Sequence, residues 1–225
     1  MNLFRNPVQF NDSGLDKLNS QNYIGAITEL SKAIEIDERF YEAYAWRGKA
    51  YFLSEQFELA IKDFNQVLLL TSKFYKLNPL FYRGCCKLQL RDFIGAIVDF
   101  DKALIYASFD EFDIYLNRSI ANHELKKYLL CIDDLNKAIT VGTDSFYKMH
   151  IYNKSRLADA FYCRGLAKEK TGDFLEAIED YSEAIKYNPI DKNAYSDRAE
   201  LYAEIGEFEL ALLDIKTINE IENNV

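Results

Sequence analysis

An all-α solenoid of six helical hairpins is the fold this sequence predicts, and three observations predict it. An aromatic residue three places before a small one recurs in six segments, and another small residue stands twelve places upstream of each. Apolar residues within the copies keep helical spacing: Ala26, Leu30 and Ala33 form one stripe, and Ala177, Tyr181 and Ala184 repeat it. Turn formers are scarce, with 9 Gly and 3 Pro in 225 residues, too few for a sandwich or barrel of many short strands.

The first copy, residues 7–40, sets Gly14 ahead of Tyr23 and Ala26. The second (41–74) has Gly48, Phe57 and Ala60, and the third (77–110) Gly84, Phe93 and Ala96. The fourth (112–145) has Ser119, Tyr128 and Cys131, the fifth (158–191) Gly165, Phe174 and Ala177, and the sixth (192–225) Ala199, Phe208 and Ala211. Small residues at two fixed places let two antiparallel helices approach closely, there by there, while the aromatic after the turn wedges them. Each copy is therefore one hairpin, twelve helices in all. One hairpin cannot bury its apolar face alone, so neighbours must stack. The insertion 146–157 is locally basic and carries three aromatics. It lengthens the flanking helices, changes the angle between them, or serves as a partner loop.

The 34-residue unit, closed in the fifth copy by Asn188-Pro189, resembles the tetratricopeptide repeat. The resemblance reaches every residue except 1–6, 75–76, 111 and 146–157, and is strongest from Ala160 to Pro189. It implies a right-handed superhelix whose first helices line a concave groove for extended or helical peptides. Lys17, Lys87, Asn122 and Lys168 depart from it, standing where the family has a large apolar residue, which predicts looser packing in those copies. Ser119 and Cys131 make the fourth copy the least typical.

Composition and motifs narrow the function. With 27 basic and 36 acidic side chains the net charge is −9 and the pI about 4.9, against a phosphate-backbone binder, so no nucleic-acid partner is expected. No stretch approaches the roughly 20 apolar residues of a membrane span, and the first residues lack a signal-peptide core, which predicts a soluble, cytoplasmic protein. Cys85, Cys86, Cys131 and Cys163 form no Cys-x-x-Cys, and neither His123 nor His150 stands near one at ligand spacing, so reduced thiols and no metal are expected. There is no Gly-rich phosphate loop, no His-Glu-x-x-His and no Gly-x-Ser-x-Gly. Asp133 and Asp134 point about 100° apart on a helix and make no carboxylate pair. The expectation is a non-catalytic, cofactor-free scaffold or adaptor that binds a protein or peptide, with a self-assembling structural protein or a small-ligand sensor using the concave cavity as the alternatives.

Two further patterns run through the copies. Arg47, Arg83, Arg118, Arg164 and Arg198 precede the first small residue, and Glu29, Asp63, Asp99, Asp134, Asp180 and Asp214 follow the second by three. A feature present in every unit serves the unit, so these form a bracing ion-pair ladder, within a copy or to the next. The first-helix places that the resemblance assigns to the groove differ between halves. Copies one to three carry Trp46, Lys49, Phe81 and Tyr82 among apolar neighbours, either packing between helices or an anchor for a partner. Copies four to six carry Asn117, Asp159, Tyr162, Asp197, Glu200 and Glu204 in a set where seven acids face one lysine, suited to a basic segment or simply to solubility. One subset of the family binds acidic chaperone C-termini through a Lys, Asn and Arg clamp. Here those places hold Asn11, Leu15, Trp46, Asn78 and Tyr82, which disfavours that ligand.

The sixth copy leaves nothing for the extra polar helix that usually caps such arrays. On its second helix Leu212, Ile215, Ile218 and Ile221 recur at three-residue intervals. A further domain, a partner or a second molecule is expected to cover them, the last giving a homodimer through Ile215, Ile218 and Ile221.

Overall fold

The computed structural model describes residues 6–72, 77–106, 111–144 and 152–223, and among them there are twelve helices and no strand. The chain divides into two compact units, Met1–Ser108 and Phe109–Val225. In the first, α1 (Pro7–Asn19) pairs with α2 (Tyr23–Ile36), α3 (Tyr41–Leu53) with α4 (Phe57–Leu70), and α5 (Pro79–Gln89) with α6 (Phe93–Ile105). In the second, α7 (Glu111–Glu124) pairs with α8 (Tyr128–Thr143), α9 (Tyr152–Thr171) with α10 (Phe174–Tyr187), and α11 (Lys192–Glu204) with α12 (Phe208–Asn223). Within each unit every helix packs on the next, and first helices also meet directly: α1 with α3, α3 with α5, and α7 with α9.

The insertion extends one helix. Residues 152–157 form the start of the 20-residue α9, whereas α8 stops at Thr143; residues 146–151 lie outside the described residues. Arg156, within the insertion, pairs with Asp113 on α7 and lies 4.6 Å above the Phe112 ring, tying the extension back to the fourth copy.

Local chemistry sets the helix ends. Pro7 occupies the first position of α1, where its missing N–H costs nothing, and Asn6 and Gln9 close a reciprocal capping box. All six hairpins turn in the same way. In the first, the Asn22 N–H donates to the Lys17 carbonyl (2.8 Å) and the Gln21 N–H to the Leu18 carbonyl (3.0 Å), a Schellman closure. The amides of Gln56, Asp92, Lys127, Asp173 and Glu207 repeat the longer bond at 2.7–2.9 Å. This closure requires a left-handed residue just before. Gly172 and Gly206 provide it at φ 87°, but Gln21, Glu55, Arg91 and Lys126 adopt φ 59–63° with a side chain attached.

The small residues make room for something larger than the alanine opposite. A Cβ built on Gly14 would sit 2.6 Å from Leu30, on Gly48 2.8 Å from Phe64, on Gly84 2.7 Å from Phe100 and on Gly165 2.6 Å from Tyr181. These large side chains, one helical turn beyond Ala26, Ala60, Ala96 and Ala177, are fully buried. The glycine's nearest neighbour is thus the core side chain, and the alanine lines the same interface at zero exposure.

The ion-pair ladder closes within each copy. Arg47 grips Asp63 with Nε and Nη2, both at 2.8 Å, and Arg83–Asp99, Arg118–Asp134, Arg164–Asp180 and Arg198–Asp214 repeat the two-point geometry. The third guanidinium nitrogen reaches the second helix of an earlier copy. Nη1 donates to Ser31 Oγ from Arg47, to Asn65 Oδ1 from Arg83, to Asn136 Oδ1 from Arg164 and to Ser182 Oγ from Arg198. One side chain therefore braces its hairpin and ties it to its neighbour.

Lys17, Lys87, Asn122 and Lys168 belong to the same ladder. Lys17 lies 3.4 Å from Glu29, Lys87 2.7 Å from Asp99, Lys168 3.0 Å from Asp180, and Asn122 donates to Asp134 at 3.0 Å. The expected loosening is replaced by a second donor to each buried carboxylate. In the second and sixth copies Tyr51 and Tyr202 hold that place, with the Arg47 and Arg198 guanidinium groups 5.8 and 5.7 Å from their rings. Burial raises the Asp63 carboxyl above the usual aspartate value against the pull of Arg47, whereas the hydrogen bond from Lys32 lowers Glu29.

Candidate functional site

In the first unit the sequence-selected residues come together. Trp46 on α3 is half-buried against the cluster of Leu18, Leu30 and Ala43. The Lys49 ammonium, one turn on, stands 5.6 Å from the Trp46 ring and 5.5 Å from the Tyr82 ring of α5. Tyr82 in turn stacks on Phe64 at 5.9 Å, meets Phe52 edge-on at 5.6 Å and touches Phe81 at 5.2 Å. Trp46, Lys49, Tyr82 and Phe81 form one continuous row, each side chain partly core and partly open. Such rings offer large contact area at little entropic cost. Asn78 leaves the groove set: its Oδ1 accepts the Leu80 and Phe81 amides and its Nδ2 donates to the Ala103 carbonyl, so it caps α5.

In the second unit Tyr162 on α9 donates to Asp197 on α11 at 2.7 Å. Beside it, the Tyr181 hydroxyl donates to Glu169 at 3.0 Å, Lys170 pairs with the other oxygen of Glu169 at 2.6 Å, and the two tyrosine rings lie 5.8 Å apart. Burial raises the Asp197 carboxyl, the nearby Glu169 and Asp191 charges add to that, and the Tyr162 hydrogen bond opposes it. Asp159 is raised by the protein packed around it and then by Asp191, with Arg156 opposing. The same burial, reinforced by carboxylates, raises both tyrosines. The face is thus short of positive charge.

Glu200 and Glu204 extend that face into solvent as exposed carboxylates. Asn117, half-buried, folds back on its own helix, its Nδ2 donating to the Asp113 carbonyl one turn back at 2.8 Å. The sequence assigned Tyr181 only to the apolar stripe of a second helix and missed its role in this network; its signal is a hydroxyl at the place held by Leu30, Phe64 and Phe100 elsewhere.

On α12 the apolar residues divide. Phe208, Leu212 and Leu213 are 64%, 66% and 59% exposed and Ile215 is 47% exposed, while Ile218 and Ile221 are half-buried. Among the described residues no three His, Cys, Asp or Glu side chains are arranged to hold a metal ion, and no helix is long and apolar enough to cross a membrane.

Comparison with known proteins places this geometry. Tetratricopeptide repeat models match residues 158–191 and 41–74. A TPR repeat-containing protein of Methanocaldococcus jannaschii is 22% identical, covering 95% of this chain and 42% of its own length. Hsp70-Hsp90 organizing protein 1 of Glycine max is 29% identical, covering 88% of this chain and 32% of its own. The chain therefore spans less than half the length of either relative. Among solved structures, a tetratricopeptide repeat protein of Parabacteroides merdae superposes with a TM-score of 0.72 at 18% identity over 95% of this chain and 79% of that one. YrrB, described as a TPR protein with an unusual peptide-binding site, gives 0.66 at 18% identity over 86% and 92%. Six hairpins share one turn, one ladder and one small-residue register, and tetratricopeptide repeat models match two of them outright, which together support a tetratricopeptide repeat protein.

Proposed function

We propose that this chain is a non-catalytic, cofactor-free adaptor of the cytoplasm that holds a basic segment of a partner protein on the first-helix face of its repeats. The observation that carries this reading is the carboxylate and tyrosine network of α9 and α11, where Asp159, Glu169, Asp197, Glu200 and Glu204 share one face and Lys170 is already engaged by Glu169. Opposite charge there attracts and orients a lysine- or arginine-rich segment. The row Trp46, Lys49, Phe81 and Tyr82 supplies an aromatic contact surface in the first unit, and Asn117, in the second, serves only to brace α7. The name of the organizing-protein relative agrees with a role in bringing proteins together. The departures at Asn11, Leu15, Trp46, Asn78 and Tyr82 argue against an acidic C-terminal ligand.

Affinity capture from the source cell, run beside the triple variants Trp46→Ala, Phe81→Ala, Tyr82→Ala and Asp197→Lys, Glu200→Lys, Glu204→Lys, tests the reading. Loss of the same partner from both variants is the expected result; full retention by both overturns it.

Self-association is a second reading, favoured by the exposed row Phe208, Leu212, Leu213 and Ile215 on α12. A second copy pairing through Ile215, Ile218 and Ile221 would cover it. Sedimentation of the chain beside Ile215→Glu should show a dimer lost in the variant; two monomers at high micromolar concentration exclude it.

A further inference from the structure

The first-helix face of the second unit carries a recess, and comparing equivalent places of the repeat explains it. Two places before the small residue of α3, α5, α9 and α11 stand Trp46, Tyr82, Cys163 and Asp197. In the first unit a large ring there fills the space over the preceding hairpin: Trp46 packs on the Leu18 and Leu30 cluster, and Tyr82 lies against Ala60, Phe64 and Phe52. In α9 the place holds only Cys163, and the counterparts of Phe52 and Phe64 are His123 and Leu135. The missing ring leaves a cavity of about 100 Å³ lined by Ser119, Ile120, His123, Cys131, Cys163 and Leu166. Ile120 is exposed and His123, Cys163 and Leu166 half-buried, so the cavity opens on the first-helix face.

Its walls are apolar and uncharged. Burial pushes the Cys131 thiol up to about 12 and Cys163 to about 11, so both stay protonated at neutral pH. One atom breaks the lining: His123 Nε2 is buried and meets no hydrogen-bond partner among the described residues. A polar group so placed seeks a partner of its own.

We infer that this recess receives one tyrosine side chain of a basic partner segment, which supplies from outside the ring that Tyr82 supplies internally in the first unit, with its hydroxyl bonded to His123 Nε2. The inference rests on the groove-binding reading above and deepens it. Size is consistent, since a closed apolar cavity of about 150 Å³ takes benzene, and this smaller one, open on one side, takes most of a phenol ring. Charge is complementary, because Asp159, Glu169 and Asp197 share the face and favour basic residues flanking the tyrosine.

The test uses the full chain, calorimetry, and short lysine-serine peptides with a central tyrosine, phenylalanine or alanine. The tyrosine peptide should bind about tenfold or more tightly than the alanine one, the range of a buried anchor residue. Cys163→Tyr, which fills the recess with the repeat's own ring, should erase that preference while keeping the melting temperature. His123→Phe should level tyrosine with phenylalanine. In parallel, p-cresol should shift the His123 ring resonances of the wild type and leave those of Cys163→Tyr unmoved. If all three peptides bind equally with a salt-dependent affinity, the recess proposal is overturned and the groove reading stands. If no peptide binds, the basic-segment reading fails, and p-cresol binding alone then reduces the recess to a phenol site, which also overturns the proposal. Should Cys163→Tyr not fold, Cys163→Phe and His123→Phe decide the same comparison.

Discussion

Glu55 and Gln21 sit at φ 60° where Gly172 and Gly206 perform the same turn without a side chain. A non-glycine residue in that region costs roughly 1–2 kcal/mol, partly offset because glycine loses more freedom on folding. Glu55→Gly should therefore raise stability by up to about 1 kcal/mol, and Gly172→Ala should lower it by about as much; thermal unfolding of both variants checks the sign. Gly84→Ala works in the opposite sense to helix propensity. Its new methyl would meet the fully buried Phe100 ring at 2.7 Å, so overpacking should cost about 1–3 kcal/mol, and an unchanged melting temperature would refute the tight contact.

At the scale of the helical pair, the ladder decides which substitutions hurt. Asp180 is nearly buried and receives two bonds from Arg164 and one contact from Lys168. Removing Arg164 takes both of its bonds from a buried carboxylate and leaves it Lys168 alone, so Arg164→Leu should cost about 2–3 kcal/mol in denaturant unfolding. Asn136→Ala removes only the link to the earlier helix and should cost about 1 kcal/mol. Equal losses would mean that the arginine acts mainly between copies. This scale also shows what the sequence could and could not disclose. Constant spacing made all five Arg–acid pairs legible. Their closure within a copy was not, because pairing to the following copy satisfied the spacing equally well. Lys17, Lys87 and Lys168 were misread as apolar gaps, since a lysine stem packs like a hydrophobe while its ammonium reaches the carboxylate. The Schellman turns also escaped notice, because four of the six left-handed residues are not glycine.

At the scale of the whole molecule, charge is distributed unevenly: residues 1–112 carry 13 basic and 15 acidic side chains, and residues 113–225 carry 14 and 21. If a basic segment is held on the acidic face, its association should slow markedly between low and high salt, and charge reversal at Asp197, Glu200 and Glu204 should remove most of that dependence. Acidification gives a separate test. Asp159 and Asp197 both bind protons more tightly than ordinary aspartates, so each loses its charge at a higher pH than usual as pH falls. Binding should weaken on mild acidification, while these two groups, raised in the folded state, destabilise the fold at neutral pH and cease to as they protonate. Binding that holds constant to pH 4 would exclude them from the contact. Composition foretold this polarity. The recess beside His123 was beyond it, since a cavity arises from six side chains brought together from three helices, α7, α8 and α9.

The shared turn has one more consequence, for how opening can be observed. The amides of Asn22, Gln56, Asp92, Lys127, Asp173 and Glu207 belong to residues at exposed hairpin tips, yet each donates a short bond to a carbonyl five residues back. Proton exchange at such an amide requires that its own hairpin end come apart. Six solvent-facing positions, one in each copy, therefore act as individual clocks, and their exchange rates in deuterium oxide will tell whether the hairpins fray singly or let go together.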